Sequence, residues 1–154
     1  MLSALLLAVT AVTNPPTYFV GDWQCKIASP AGERTWIYKN SLDLGERWIH
    51  MHIEGPSRVP GKQYMGEVYV GFNDLSRKYA RITVNNFGGY WISESDGWRG
   101  ESWTWTDVTS EDNEWGITEI TRISPDHYRS IEKTRSGKGG EPITRSRMDC
   151  ERRH

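Results

Sequence analysis

The chain is poor in the residues that build metal scaffolds. Two cysteines and four histidines among 154 residues are too few for a cysteine-rich metal framework. Charge of one sign is also missing. Nineteen Lys and Arg stand against 20 Asp and Glu, a formal net charge of -1, so no global field attracts nucleic acid or a membrane surface. Long apolar runs are absent as well. The one candidate, Leu2 to Val12, falls short of the ~20 residues that a membrane-crossing helix needs. There is no Gly-x-Ser-x-Gly elbow, phosphate loop, dinucleotide fingerprint or His-Glu-x-x-His. What the chain does have is aromatic weight: 12% Phe, Trp and Tyr, with eight Trp. That excludes a disordered chain, and the length suits one domain around a single core.

The first charged side chain is Asp22. The apolar run before it reads as the central region of a secretory signal, with small residues near Val9, Ala11 and Thr13 for cleavage. No Lys or Arg precedes the run, which departs from the usual signal pattern. The expected division is a signal peptide or N-terminal extension over 1–17 and a single barrel domain over 18–154. The alternative is a buried N-terminal helix stopped by Asn14-Pro15-Pro16. Periplasmic or secreted localisation agrees with the cysteines. Cys25 and Cys150 enclose almost the whole mature domain, and in an oxidising compartment such a pair forms a disulfide. In a cytosolic protein they would be two buried thiols.

From Asp22 onward, short strands alternate with turn signals. The spacing predicts strands over 22–28, 34–40, 46–54, 63–72, 78–86, 89–95, 101–108, 114–123, 126–134 and 142–150. The separators are rich in Gly, Pro, Asn and Asp, as in Ser29-Pro30-Ala31-Gly32, Asn73-Asp74, Asp96-Gly97 and Ser124-Pro125-Asp126. No segment after residue 17 carries a helical period over eleven or more residues. The fold expected is all-β, a ten-strand antiparallel up-and-down barrel. A Cys25–Cys150 bridge needs Cα atoms within about 7 Å, which makes the first and last strands neighbours and closes the barrel there. Closure removes free sheet edges and leaves room inside for a small ligand.

The segment Tyr18-Phe19-Val20-Gly21-Asp22-Trp23 resembles the Gly-x-Trp opening of lipocalin-like, or calycin, barrels. In those barrels the Trp closes one end and packs against a basic residue on the last strand, a role the resemblance gives to Arg145 or Arg147. Further on come Leu44-Gly45-Glu46-Arg47-Trp48-Ile49, Tyr64-Met65-Gly66, Gly71-Phe72-Asn73-Asp74, Lys78-Tyr79 and Asp96-Gly97-Trp98. That order is similar to small bacterial secreted barrels grouped as a domain family of unknown function, over roughly residues 18–135. The resemblance implies a fold and carries no catalytic motif across.

The segment Trp48-Ile49-His50-Met51-His52-Ile53-Glu54 puts Trp48, His50, His52 and Glu54 on one face and Ile49, Met51 and Ile53 on the other. A hairpin centred near residues 58–59 would set His50 opposite Glu67, Trp48 opposite Tyr69 and His52 opposite Met65. A His beside a carboxylate is a general-base arrangement, with Tyr69 or Arg81 to stabilise developing charge. His50 and His52 could also give two imidazoles to one metal, with a third ligand such as His127. The competing arrangement turns these polar residues to solvent and Ile49, Met51 and Ile53 inward, and both roles for His50 then fail together.

On the strand over 101–108, Trp103 and Trp105 share the face expected to point inward, with Trp91 near Trp105. Such a wall could stack a flat apolar ligand or a sugar ring, or be plain core packing. Trp98 sits in the turn Asp96–Gly100, either over a barrel end or as a lid at the mouth. The leading expectation is an exported barrel that binds a small apolar or aromatic molecule. Its contacts would be Trp48, Tyr69, Arg81, Trp91, Trp98, Trp103 and Trp105, with Glu67 and His50 adding polarity. No organic cofactor and no nucleic-acid partner are expected, and the protein would be a monomer or dimer. The alternatives are an enzyme using His50 and Glu67, metal-assisted or not, and an envelope protein whose barrel is filled by its own side chains.

Overall fold

The computed structural model describes residues 16–109, 113–137 and 139–154; residues 1–15 of the expected leader lie outside them. Eleven strands follow a 3-10 turn at Thr17–Phe19. They are β1 (Gly21–Ser29), β2 (Gly32–Asp43), β3 (Trp48–Pro56), β4 (Gln63–Asn73), β5 (Lys78–Asn85), β6 (Tyr90–Ser95), β7 (Trp98–Arg99), β8 (Ser102–Asp107), β9 (Glu114–Ser124), β10 (His127–Ser136) and β11 (Ile143–Arg152). Ten of them match the expected strands to within three residues at either end. The unexpected one is β7. Gly97 and Gly100 take φ of 94° and 62°, which glycine adopts without steric cost, and a two-residue ribbon forms where a plain turn was expected.

The strands pair antiparallel in the order β6-β5-β4-β3-β2-β1-β11-β10-β9-β8, and β8 returns to β6 to complete the ring. β7 pairs only with β8, outside the ring. The expected closure between first and last strands is present. Cys25 lies directly opposite Cys150, bridged by a disulfide with Cα atoms 4.0 Å apart. The β6–β8 seam is shorter, with only Ser93↔Asp107 and Glu94↔Thr106 in register.

Cys25 also fixes which faces point inward. Residues directly opposite on antiparallel strands share a face. Cys25 faces inward with Trp23 and Ile27, so their partners Trp36, Tyr38 and Arg34 do too. Tyr38 in turn lies opposite Ile53, which turns Ile49, Met51 and Ile53 to the interior and Trp48, His50, His52 and Glu54 to the outer wall.

One end of the barrel is plugged. Phe19 from the 3-10 turn and the fully buried Trp23 fill it, with Tyr128 edge-on to both. Trp23 Nε1 donates to the Phe19 carbonyl at 2.9 Å, and Asn40 Nδ2 donates to the same oxygen at 2.8 Å. The basic residue against Trp23 is Arg152, its guanidinium 4.3 Å from the ring centre, and not Arg145 or Arg147. The β1–β11 register explains this correction. Trp23 lies opposite Arg152, whereas Arg147 pairs with Ala28 toward the other end. Arg152 also donates to the carbonyls of Tyr18 (2.9 Å), Val20 and Pro125 (3.2 Å) and to Asp126 Oδ1 (2.8 Å), which ties the plug to the last strand.

Candidate functional site

Above the plug the barrel is hollow. A cavity of about 430 Å³ opens at the end formed by Ser57, Arg58 and Val59 of the β3–β4 hairpin and Phe87 of the β5–β6 turn. That volume lies in the range of small-molecule sites. Its walls are mainly Tyr38, Ile53, Val68, Trp105, Ile120 and Met148, and Phe19 and Tyr128 form the floor. An aromatic strip edges the mouth. Trp36 stacks on Tyr64 with centroids 4.4 Å apart and planes 5° from parallel, and Phe87 continues the row at 6.5 Å. Gly55 permits this, since a Cβ there would lie 2.1 Å from Trp36 Cδ1. Burial, and then the charge of Glu132, push the Tyr64 hydroxyl up to about 12, and burial raises Tyr38 and Tyr128 as well. All three are therefore neutral phenols in the ordinary pH range.

Polar groups from several strands interrupt the apolar wall. Arg81 comes inward from β5 and lays its guanidinium 5.2 Å from the Trp105 ring centre. Its Nη2 donates to Ser93 Oγ at 3.0 Å and Thr118 Oγ1 at 3.1 Å. Ser93 passes a 2.6 Å hydrogen bond to Asp107 Oδ1, and Asp107 Oδ2 accepts the Gly116 amide at 2.9 Å. Burial lowers the Arg81 pKa, and the group remains a cation. Glu132 lines the cavity from β10 and accepts from Ser146 Oγ at 2.8 Å.

Of the residues singled out in the sequence, Arg81, Trp91 and Trp105 line this cavity. Trp103 faces inward but is sealed at the plugged end, stacked on Trp105 at 5.1 Å and edge-on to Trp98 and Tyr79. Trp98 is also at that end, stacked on Phe19 at 5.9 Å under the guanidinium of Arg122, so it is no lid at the mouth. Trp91 lies opposite Thr83 and reaches the cavity without pairing across from Trp105. Trp48 and Tyr69 lie on the outer wall, where Trp48 covers Gly71 and Tyr69 stacks on His50 at 4.8 Å. Residues missed in the sequence include Trp36, Tyr38, Tyr64 and Glu132. For Trp36 and Tyr38 the signal was present, since they share a face with Arg34 and pair with Cys25 and Trp23.

His50 and Glu67 do meet, though not as direct partners. His50 lies opposite Tyr69 and His52 opposite Glu67, two residues from the expected register. The shift preserves the face, and the carboxylate of Glu67 bridges both rings, 2.6 Å from His50 Nε2 and 2.7 Å from His52 Nδ1. Neither histidine lines the cavity. Among the described residues no group of three or more His, Cys, Asp or Glu is gathered as a metal site. His127 bonds instead to Asp149 Oδ1 at 2.7 Å.

These outer-wall clusters make acid stability predictable. Desolvation acts to raise the Glu67 pKa, but hydrogen bonds from His52 and His50 outweigh it and hold it below 4.5. Asp149 is likewise held below 3.8, against desolvation, by Arg129 and His127. A carboxyl whose folded value is lowered stabilises the fold above its unfolded value and loses that contribution as pH falls through the folded one. Urea unfolding is expected to show stability declining as pH falls below about 4.5, with a shallower decline in Glu67→Gln. Both groups are partly exposed, so the effect is modest.

A closed antiparallel barrel with a Gly-x-Trp segment under a plugged end and a cavity at the other has the lipocalin-like fold. Its backbone is similar to Rv2717c from M. tuberculosis, with a TM-score of 0.64 and 13% identity over 90% of this chain and 94% of that one. It is also similar to the S-type phycobiliprotein lyase CPES from Guillardia theta, at TM-score 0.63 and 15% identity over 89% of each chain. A de novo designed fluorescence-activating β-barrel follows at TM-score 0.51 and 15% identity, covering 89% of this chain and 95% of the design. At these identities the likeness is one of fold. No protein-family model matches the chain, and no curated protein matches it.

Proposed function

We propose that this protein is an exported binding barrel that holds one small, flat, largely apolar or aromatic molecule in its interior. The observation that carries this reading is the cavity: about 430 Å³, plugged at one end, open at the other and walled mainly by aromatic and aliphatic side chains. A barrel serving only as an envelope scaffold would gain dispersion contacts by filling that space. The fold neighbours add support, because one is by name a phycobiliprotein lyase and another a fluorescence-activating barrel. The disulfide supports export, since such bonds persist in oxidising compartments. Catalysis by His50 and Glu67 is the weaker reading, because both lie on the outer wall away from the cavity.

The test is a titration with a pyrene-based probe, read by quenching of Trp fluorescence. Trp36, Trp91 and Trp105 all line the cavity, so saturable quenching at a 1:1 ratio is expected. His50→Ala and Glu67→Ala are expected to leave the affinity unchanged. Absence of saturable binding, or its loss in His50→Ala, would overturn the proposal.

A further inference from the structure

The interior of β5 runs against the apolar-inside rule. Its apolar residues Ile82 and Val84 are 39% and 45% exposed on the outer wall, while Arg81 and Thr83 face inward. Local violations of this kind are expected at functional positions. We infer that the cavity takes an amphiphilic monoanion, an aromatic body ending in a carboxylate, with the carboxylate against Arg81. This rests on the ligand-binding reading of the same cavity and names the chemistry of its occupant.

Arg81 is satisfied on one side only. Nη2 serves Ser93 and Thr118, while Nε is buried with no hydrogen-bond partner. Its nearby carboxylates are engaged elsewhere. Asp107 acts on it through charge and through the Ser93 hydroxyl, makes no direct hydrogen bond to it, and spends its other oxygen on Gly116. Glu132 acts on Arg81 through charge and is hydrogen-bonded to Ser146. A cation taken out of water without a directly bonded counter-ion is costly, and a ligand carboxylate would supply that counter-ion.

The guanidinium is also oriented. Trp105 lies beneath it and two hydroxyls take both N–H groups of Nη2, so the guanidinium is held in place with Nη1 left to meet a ligand oxygen. Charge along the cavity agrees. Of its ionisable lining residues, Arg34, Arg58 and Arg81 are cations facing the single carboxylate of Glu132. Arg58 belongs to the mouth hairpin, where it would draw an anion inward. Glu132 disfavours a second negative charge, which limits the occupant to one. The Trp36–Tyr64–Phe87 strip is left for the aromatic body.

The experiment compares 1-pyrenebutyrate with the neutral 1-pyrenebutanol at pH 7, titrated into the full chain. The wild type is expected to bind the carboxylate about ten-fold or more tightly than the alcohol, as for a desolvated charge pair. Arg81→Met is expected to level the two affinities, and Arg81→Lys to keep part of the preference. Glu132→Gln is expected to strengthen carboxylate binding several-fold and leave the alcohol unchanged. Circular dichroism confirms that each variant is folded, and if Arg81→Met is not, the wild-type comparison and Glu132→Gln decide. Equal affinities in the wild type overturn the inference and leave the binding reading standing. So does a preference that survives in folded Arg81→Met. Failure of both probes to bind the wild type overturns the binding reading and this inference with it.

Discussion

The Cys25→Ala, Cys150→Ala double variant is expected to lose about 3–5 kcal/mol of folding stability. The bridge spans a sequence separation of 125, and the entropy of closing so long a loop in the unfolded chain is worth roughly 4–5 kcal/mol in the chain-entropy model. Both residues are fully buried and directly opposite across β1 and β11. The bridge therefore joins the two ends of the strand ring, and its removal leaves that seam to backbone hydrogen bonds. The drop in melting temperature should be on the order of 10 °C for a domain of this size. Urea unfolding of the oxidised wild type, the reduced wild type and the double variant checks this. The two forms without the bridge should agree, and a loss below about 1 kcal/mol would mean that the unfolded chain is already held together near these residues.

Trp23→Ala is expected to cost about 3–5 kcal/mol, the range for emptying a buried Trp site. Trp23 is fully buried in the plug. Its ring packs against Tyr128 at 4.9 Å and Tyr18 at 5.7 Å, and carries the Arg152 guanidinium. Its N–H is one of two donors to the Phe19 carbonyl. Trp23→Phe keeps most of the volume and should cost less, roughly 1–2 kcal/mol for the lost hydrogen bond and imperfect fit. Denaturant midpoints in the order wild type, Phe, Ala test the ranking. A Phe variant as unstable as Ala would place the weight on the N–H and not on the ring.

The strand pattern was legible because turn residues and a two-residue period mark nearly every boundary. Ring closure was legible because two cysteines at the chain ends can be bridged only if their strands are neighbours. The orientation of β3 was harder. Its sequence has a large residue on each face, Trp48 on one and Ile49 on the other, and a strand read alone supplies no reason to prefer either. The answer lay in a chain of registers, from Cys25 to Trp36 and from Tyr38 to Ile53. The β3–β4 register differs from expectation by two residues, which conserves the side-chain face, and so His50 and Glu67 still meet. Trp98 was ambiguous because a turn residue can serve either end of a barrel. Glu132 was hardest, because its interior polarity opposes the alternation by which strands are read, and only packing reveals that it faces the same cavity as Arg81.

The most direct test of the interior binding site is to fill it. Val68 is 4% exposed on β4 and lines the cavity, and Val68→Trp would place an indole there. The predicted result is a loss of 1-pyrenebutyrate binding by at least about 20-fold, with no more than the ~1–3 kcal/mol destabilisation of added core volume. Unchanged affinity in a folded Val68→Trp protein would place the probe on the outer wall and contradict the account.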